Sequence, residues 1–347
     1  MQALRLLEIG QPLAAAETAV PTPGDGEVLV HIAAAGICHS DAHYRRGDSP
    51  TGSLPLTLGH EVAGRVAELG KGVTSLEPGA RVALDYLVTC GSCEFCARGA
   101  RQFCPQGKMI GKHRDGGFAE FIVVPAENAI AVPDAVPLDA AALMMCSSST
   151  SLHALERARL AQGESVAVFG AGGLGMSAIQ LARILGAGPV FAIDIDAERL
   201  QTAEQLGAVP IDATRCDPLD VLMHHTDSRG VDVALELIGL AHTMQQAVQV
   251  LAVHGRAALV GITPAAFPVR PYDELLNKEA EILGVSDHLA SDLPRLLDWA
   301  ATGELDFSPV IRQRIPLVAD AANAALDRLQ SHGSGLRTVI VQDTEEV

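Results

Sequence analysis

The rhythm of apolar positions changes near residue 165 of this chain. Before it, short apolar runs at 28–34, 62–68 and 118–124 are punctuated by Gly and Pro. Runs of that length between turn residues predict strands, so the first part reads as a β-dominated lobe. From Ser165 on, short apolar runs at 165–169, 190–193, 231–235, 256–260 and 281–284 alternate with longer helical patterns. That alternation predicts βαβ units around a parallel sheet. After about Val285 the character is mixed again, and a strand-like run at 336–341 could rejoin the first lobe.

A chain of 347 residues exceeds what one hydrophobic core usually serves and predicts about two domains. Aromatic residues make up only 3%, so the core must be built from Ala, Val, Leu and Ile, and stacking on nucleic-acid bases is disfavoured. A net charge of −17 repels phosphate backbones and anionic lipid surfaces. Residues 1–10 resemble no targeting leader and no run has 18 uninterrupted apolar residues, so a cytoplasmic protein with small-molecule ligands is expected.

The run at 165–169 leads into Gly170-Ala-Gly172-Gly173-Leu174-Gly175 and then a helical pattern to about Leu185. G-x-G-x-x-G between a strand and a helix is the context of a dinucleotide fingerprint. Gly170 would serve the tight turn, Gly172 the approach of backbone to a pyrophosphate, and Gly175 close packing of helix on strand. Asp194 ends the next strand, where a carboxylate accepts from ribose hydroxyls and repels a 2′-phosphate, favouring NAD over NADP. A Gly-rich loop and a solvated strand end are the plainer alternatives, and the ordered combination argues against them.

Four of the seven cysteines, Cys90, Cys93, Cys96 and Cys104, crowd into one loop. Four thiolates close a tetrahedral zinc site and leave no position for substrate, which makes such a site structural. Disulfides or unrelated thiols fit the spacing and the expected compartment less well. Cys38, His60 and Cys146 could converge as Cys2His with an open fourth position, but spacing alone does not bring them together.

The segments Gly36-Ile-Cys38-His39-Ser40-Asp41-Ala-His43 and Gly59-His60-Glu61-Val-Ala-Gly64, the four-cysteine loop, Cys146 followed by Thr150, and the Gly-rich turn agree in order and spacing with one family. They resemble the zinc-dependent alcohol dehydrogenases of the medium-chain dehydrogenase/reductase type, nearest to the tetrameric bacterial and yeast branch. The likeness covers essentially the whole chain and is weakest after Thr263. It implies an α/β protein: a GroES-like β-rich catalytic domain at 1–148 and 286–347, a Rossmann domain with a doubly wound parallel sheet at 149–285, and an active site in the cleft. It further implies a homo-oligomer, a tetramer ahead of a dimer.

By the same resemblance Cys38, His60 and Cys146 hold a catalytic zinc, giving two zinc ions per subunit, while Asp41 and Glu61 orient the ligands and tune the metal. Ser40 matches the hydroxyl that passes the alcohol proton through the cofactor ribose toward His43. A turn hydroxyl and a solvated histidine are the ordinary alternatives for that pair. His39 stands where relatives carry a basic residue near the pyrophosphate. Thr150 and Leu174 resemble residues flanking the nicotinamide, and Gly173, Arg199, Val260 and Ile262 fall at further cofactor positions. Arg337 resembles an arginine reaching the cofactor phosphates, with an exposed arginine as the alternative. Cys216 matches no site.

The implied reaction is reversible oxidation of an alcohol to an aldehyde or ketone. Relatives favouring small alcohols carry tryptophan where Ser49 stands, and Tyr86 takes the place of a second pocket tryptophan. The expected pocket therefore suits medium-chain, branched or aromatic alcohols, unless Ser49 is only a surface turn residue. A polyol, amino-alcohol or thiol-adduct dehydrogenase on the same scaffold, or a non-catalytic NAD-binding zinc protein, remain the competing readings.

Overall fold

The computed structural model describes residues 1–330 and 336–342. The chain divides into two compact units. Met1–Cys146 belongs to the first unit with most described residues from 289 onward, and Ser147–His288 forms the second together with Leu336. Among the described residues no helix is long and apolar enough to cross a membrane.

The first unit is organised by the strand Glu27–Ile37, whose sequence EVLVHIAAAGI is buried at nearly every position. An apolar run without alternation has no face to offer solvent, so it takes a central place in a sheet. It pairs antiparallel with Glu61–Leu69, Phe121–Pro125 and Arg337–Val341. Arg337–Val341 pairs in turn with Ile311–Ile315, so the tail does rejoin the first lobe. The apolar run at 118–124 becomes a strand only from Phe121. Phe118 ahead of it is a fully buried core residue that exchanges backbone hydrogen bonds with Leu4 and Leu58.

Two local features carry side chains from this sheet to one place. The helix His39–Arg46 starts directly after Cys38, with the Asp41 carboxylate accepting from the Cys38 N–H at 2.9 Å, and Gly47 ends it in the left-handed region at φ 88°. The helix Leu138–Leu143 packs over Glu27–Ile37 and Glu61–Leu69, then widens into a π-helical turn, Met144–Ser148, before Ser149–Arg157 begins. Such turns are rare and tend to occur at functional sites.

The second unit is a six-stranded parallel sheet. Across it the strands run Val209–Asp212, Val190–Asp194, Val166–Phe169, Val231–Glu236, Leu251–Leu259 and Glu281–Gly284. In chain order this is 3-2-1-4-5-6, the doubly wound arrangement in which strand order reverses beside the first strand. Five strands follow the apolar pattern, one of them extended back to Leu251. Val209–Asp212 escapes it because Pro210 breaks the run, and the strand lies at the sheet edge, where a missing N–H is tolerated.

Candidate metal centres and dinucleotide site

The four cysteines at 90–104 sit around a short helix, Glu94–Ala97, and a 3-10 turn, Arg101–Phe103, neither of which buries a residue. Their sulfurs all lie within 4.8 Å of one another. The separations Cys90–Cys96, Cys93–Cys96 and Cys90–Cys104 are 3.9, 3.6 and 3.6 Å. Sulfurs about 2.3 Å from a tetrahedral zinc stand about 3.8 Å apart, so the cluster has the dimensions of a four-thiolate zinc site. Backbone N–H groups of Ser92 and Cys93 bring the Cys90 thiol down to about 6, which prepares it as a thiolate. With no apolar core of its own, this loop depends on such a metal for its shape.

The second cluster is fully interior. Cys38 follows the end of the central strand, His60 precedes Glu61–Leu69, and Cys146 lies in the π-helical turn. The donor atoms of Cys38, His60, Glu61 and Cys146 are all buried and within 4.8 Å of one another. Asp41 is wholly buried and holds both sides of the cluster. One of its oxygens takes the Cys38 N–H, and the other takes the Gly59 N–H at 3.2 Å and His60 Nδ1 at 3.1 Å. A carboxylate accepts, so Nδ1 must be the protonated nitrogen and Nε2 keeps its lone pair for a metal.

Glu61 is ion-paired through Oε2 with the buried guanidinium of Arg337, while its Oε1 has no hydrogen-bond partner among the described residues. Burial pushes the Glu61 carboxyl up to about 8 against the pull of Arg337. A hydrogen bond from Cys146 holds the Cys38 thiol well below its usual range and leaves Cys146 well above. Burial opposes a charged His60 ring, and the Asp41 carboxylate more than offsets it, raising His60 well above its usual value. Buried ionisable donors facing one another in this way are stabilised by a cation, and two thiolates with one imidazole suit zinc.

Around this cluster, the Tyr86 ring stands edge-on to His60 at 5.3 Å and the Tyr44 ring at 6.3 Å. Ser40 is half-buried in the first turn of the helix after Cys38, and Ser49 is half-buried after its end. His43 places Nδ1 2.9 Å from Asp48, which also binds Arg46. His39 is exposed, with its ring nitrogen 3.0 Å from the Leu329 carbonyl. Arg337, assigned to cofactor phosphates by resemblance, makes its ion pair with Glu61.

In the second unit, Gly170 has φ 100°, and a Cβ on Gly175 would fall 2.0 Å from the Gly170 carbonyl oxygen. Only glycine allows the strand to turn and the helix Gly173–Ile184 to press against it there. A Cβ on Gly172 would meet nothing within 4 Å, so open space lies at the start of this helix. Asp194 is fixed at the adjoining strand end, accepting from the Ala171 N–H at 2.7 Å and the Ile195 and Asp196 N–H groups at 2.8 and 3.0 Å. Arg199 lies 3.8 Å from its carboxylate. Thr150 is buried, Leu174 and Val260 are half-buried, and Ile262 is exposed. A glycine turn, an open helix start and a fixed acid at the strand switch fit a dinucleotide.

Residues 24–134 match the family described as alcohol dehydrogenase GroES-like domain, and residues 173–302 the family described as zinc-binding dehydrogenase. An NAD-dependent alcohol dehydrogenase of Sulfurisphaera tokodaii is 32% identical over 98% of this chain and 100% of that one. The chain belongs to the zinc-dependent alcohol dehydrogenases of the medium-chain family. Among solved structures of this family, the alcohol dehydrogenase TADH from Thermus sp. ATN1 superposes with a TM-score of 0.91 at 30% identity, covering 99% of this chain and 100% of that one. An S-(hydroxymethyl)glutathione dehydrogenase of Photobacterium damsela is 33% identical, covering 95% of this chain and 96% of that one. Within this dehydrogenase, sequence reasoning did not anticipate Tyr44 beside His60 or the Arg337–Glu61 pair, whose members are 276 positions apart.

Proposed function

We propose that the chain is a zinc-dependent, NAD-linked alcohol dehydrogenase that reversibly oxidises medium-chain, branched or aromatic alcohols to aldehydes or ketones. The observation that carries this reading is the buried Cys38, His60 and Cys146 set, with Asp41 fixing the histidine tautomer for a metal. Zinc held there would supply Lewis acidity toward the substrate oxygen, and NAD would serve as the hydride acceptor. Cys38, His60 and Cys146 would hold the metal, and Glu61, braced by Arg337, stands beside it as a further carboxylate. Ser40, on the helix after Cys38, takes the hydroxyl proton of the substrate. His43, held at Nδ1 by Asp48, releases a proton to solvent from its other nitrogen.

Gly170, Gly172, Gly173 and Gly175 bring backbone to the pyrophosphate of NAD, and Asp194 takes the adenosine ribose hydroxyls and repels a 2′-phosphate. His39, Thr150, Leu174, Arg199, Val260 and Ile262 contribute the remaining contacts, and Arg337 reaches the phosphates as well as Glu61. Residues 1–148 and 286–347 form the catalytic domain and 149–285 the cofactor domain. Small Ser49 opens the substrate pocket while Tyr86 keeps one aromatic wall. The enzyme works in the cytoplasm as a homotetramer.

The test is NAD and NADP reduction by primary, secondary, aromatic and polyhydroxy alcohols, with zinc content measured on the same preparation. Alcohol-dependent NAD reduction requiring the Cys38 site supports the reading. Zinc-loaded protein that binds NAD and reduces it with none of these alcohols would leave the non-catalytic alternative.

A further inference from the structure

Glu236 ends the strand Val231–Glu236 in the second unit with a side chain that solvent does not reach. Its Oε1 accepts from the Ile238 N–H at 3.1 Å, the Gly239 N–H at 2.9 Å and the Thr243 hydroxyl at 2.7 Å. Oε2 is buried without a hydrogen-bond partner among the described residues. A carboxyl group is costly to take out of water, and here all of its side-chain hydrogen bonding is given to the turn that leads into the helix Ala241–Gln249. The Glu236 carbonyl meanwhile accepts the Val260 and Gly261 N–H groups at 2.9 and 3.0 Å. One residue therefore holds the turn after its own strand with its side chain and the turn after Leu251–Leu259 with its backbone.

The two turns are pressed together. A Cβ on Gly261 would fall 2.1 Å from the Gly239 nitrogen and 2.6 Å from Glu236 Oε2. Gly239 has φ 88°, and a Cβ there would fall 2.6 Å from the Ile262 carbonyl oxygen. Only glycine fits on either side of this contact. The Ile238 side chain reaches the glycine turn of the neighbouring strand, because a Cβ on Gly170 would fall 2.7 Å from Ile238 Cγ1. Ile238, Leu240 and Ile262 remain exposed although apolar. They stand at the carboxyl ends of parallel strands, the edge where such sheets bind ligands. Strand order reverses between Val166–Phe169 and Val231–Glu236. Asp194 lies on one side of that reversal and suits the adenosine ribose, so the other half of a dinucleotide would fall on the side of these two turns.

We propose that Glu236 is a positioning residue for the nicotinamide half of NAD, its carboxylate fixing the turn 237–240 against Gly261 and Ile262 before the cofactor arrives. The inference rests on the NAD-linked reading of this unit. Ordering two turns on binding would subtract from affinity, and an internal acceptor that already holds them removes that loss. The effect is local, since the hydrogen bonds that fix Asp194 do not involve Glu236.

The experiment measures the binding of NADH and of ADP by calorimetry in the parent, Glu236→Ala and Glu236→Gln. Glu236→Ala leaves two N–H groups and a hydroxyl without their acceptor, so Kd for NADH should rise roughly tenfold or more while Kd for ADP stays within about twofold. Glu236→Gln keeps an acceptor oxygen and should recover most of the NADH affinity. Equal weakening of both ligands in Glu236→Ala, or no weakening of NADH, overturns the inference. In the parent alone, hydrogen exchange at the Ile238 and Gly239 amides should already be slow without cofactor, which decides the matter should Glu236→Ala fold poorly. Amides that exchange fast in the free protein and slow only with NADH overturn it as well. Parent protein that binds neither NADH nor ADP would overturn the NAD-linked reading instead.

Discussion

Replacing Asp41 by Asn keeps the shape of the buried orienting group and removes its charge. The amide oxygen can face either Cys38 or the Gly59–His60 side. If it faces His60, Nδ1–H keeps its acceptor and the Cys38 N–H is left against an NH2 group. If it faces Cys38, the NH2 group confronts His60 and favours the tautomer with hydrogen on Nε2, which cannot ligate a metal. The first orientation is favoured in the metal-bound protein and leaves the Cys38 N–H and an amide N–H facing each other without an acceptor, at a cost of about 1–3 kcal/mol for each. Loss of an orienting partner behind a metal ligand typically lowers metal affinity or activity by about 10- to 100-fold. We expect Asp41→Asn to fold, to show that weakening in chelator competition at the Cys38 site, and to lose kcat/KM in proportion. Zinc affinity and turnover both within about twofold of the parent would refute the orienting role. Asp41→Ala, which removes all three acceptor contacts, should be more severely impaired.

Cys93→Ser should reduce zinc from two ions to one per chain and lower stability by several kcal/mol, with metal analysis and thermal unfolding as the readouts. Cys38→Ser should lose turnover while the unfolding transition stays near that of the parent. Asp194→Gly removes the ribose acceptor and the bond to the Ala171 N–H, so kcat/KM with NAD should fall by roughly 10- to 100-fold while NADP is affected less. Equal kcat/KM for the two cofactors in the parent would contradict the assignment. Ser49→Trp should shift preference from hexanol and benzyl alcohol toward ethanol, and an unchanged order would remove Ser49 from the pocket. Burial alone would raise the Asp232 carboxyl, but Arg229 and the N–H and hydroxyl of Ser165 hold it at about 2. Because the folded value is the lower one, this stabilisation is complete above the unfolded value near 3.8 and is lost as pH falls toward 2. Asp232→Asn should therefore cost about 2 kcal/mol at neutral pH, with about half that gap remaining at pH 3 in urea unfolding.

The repetitive part of this architecture was the legible part. Strands of the parallel sheet announce themselves as apolar runs between helical stretches, and the glycine turn is readable because its spacing is local. The four-cysteine loop is readable for the same reason. Val209–Asp212 was lost because Pro210 masks an edge strand as a turn. Cys38, His60 and Cys146 are separated by more than a hundred positions in all, and only a family resemblance joined them before the sheet did. Glu61–Arg337 and the Tyr44–His60 contact depend on tertiary packing, which leaves no periodic trace.

The pairing of Arg337–Val341 with the end of Glu27–Ile37 has a consequence for how the enzyme is made. The ribosome synthesises all the ligands of the inner site long before the strand that flanks Cys38 and supplies the partner of Glu61. The four thiols at 90–104, by contrast, need only their own short loop. On a nascent chain, therefore, the outer zinc can be captured early and the inner site stays unfinished until nearly the whole polypeptide has emerged. A chain that stops between residues 104 and 337 would keep the four-thiol loop but lack the strand beside Cys38 and the partner of Glu61.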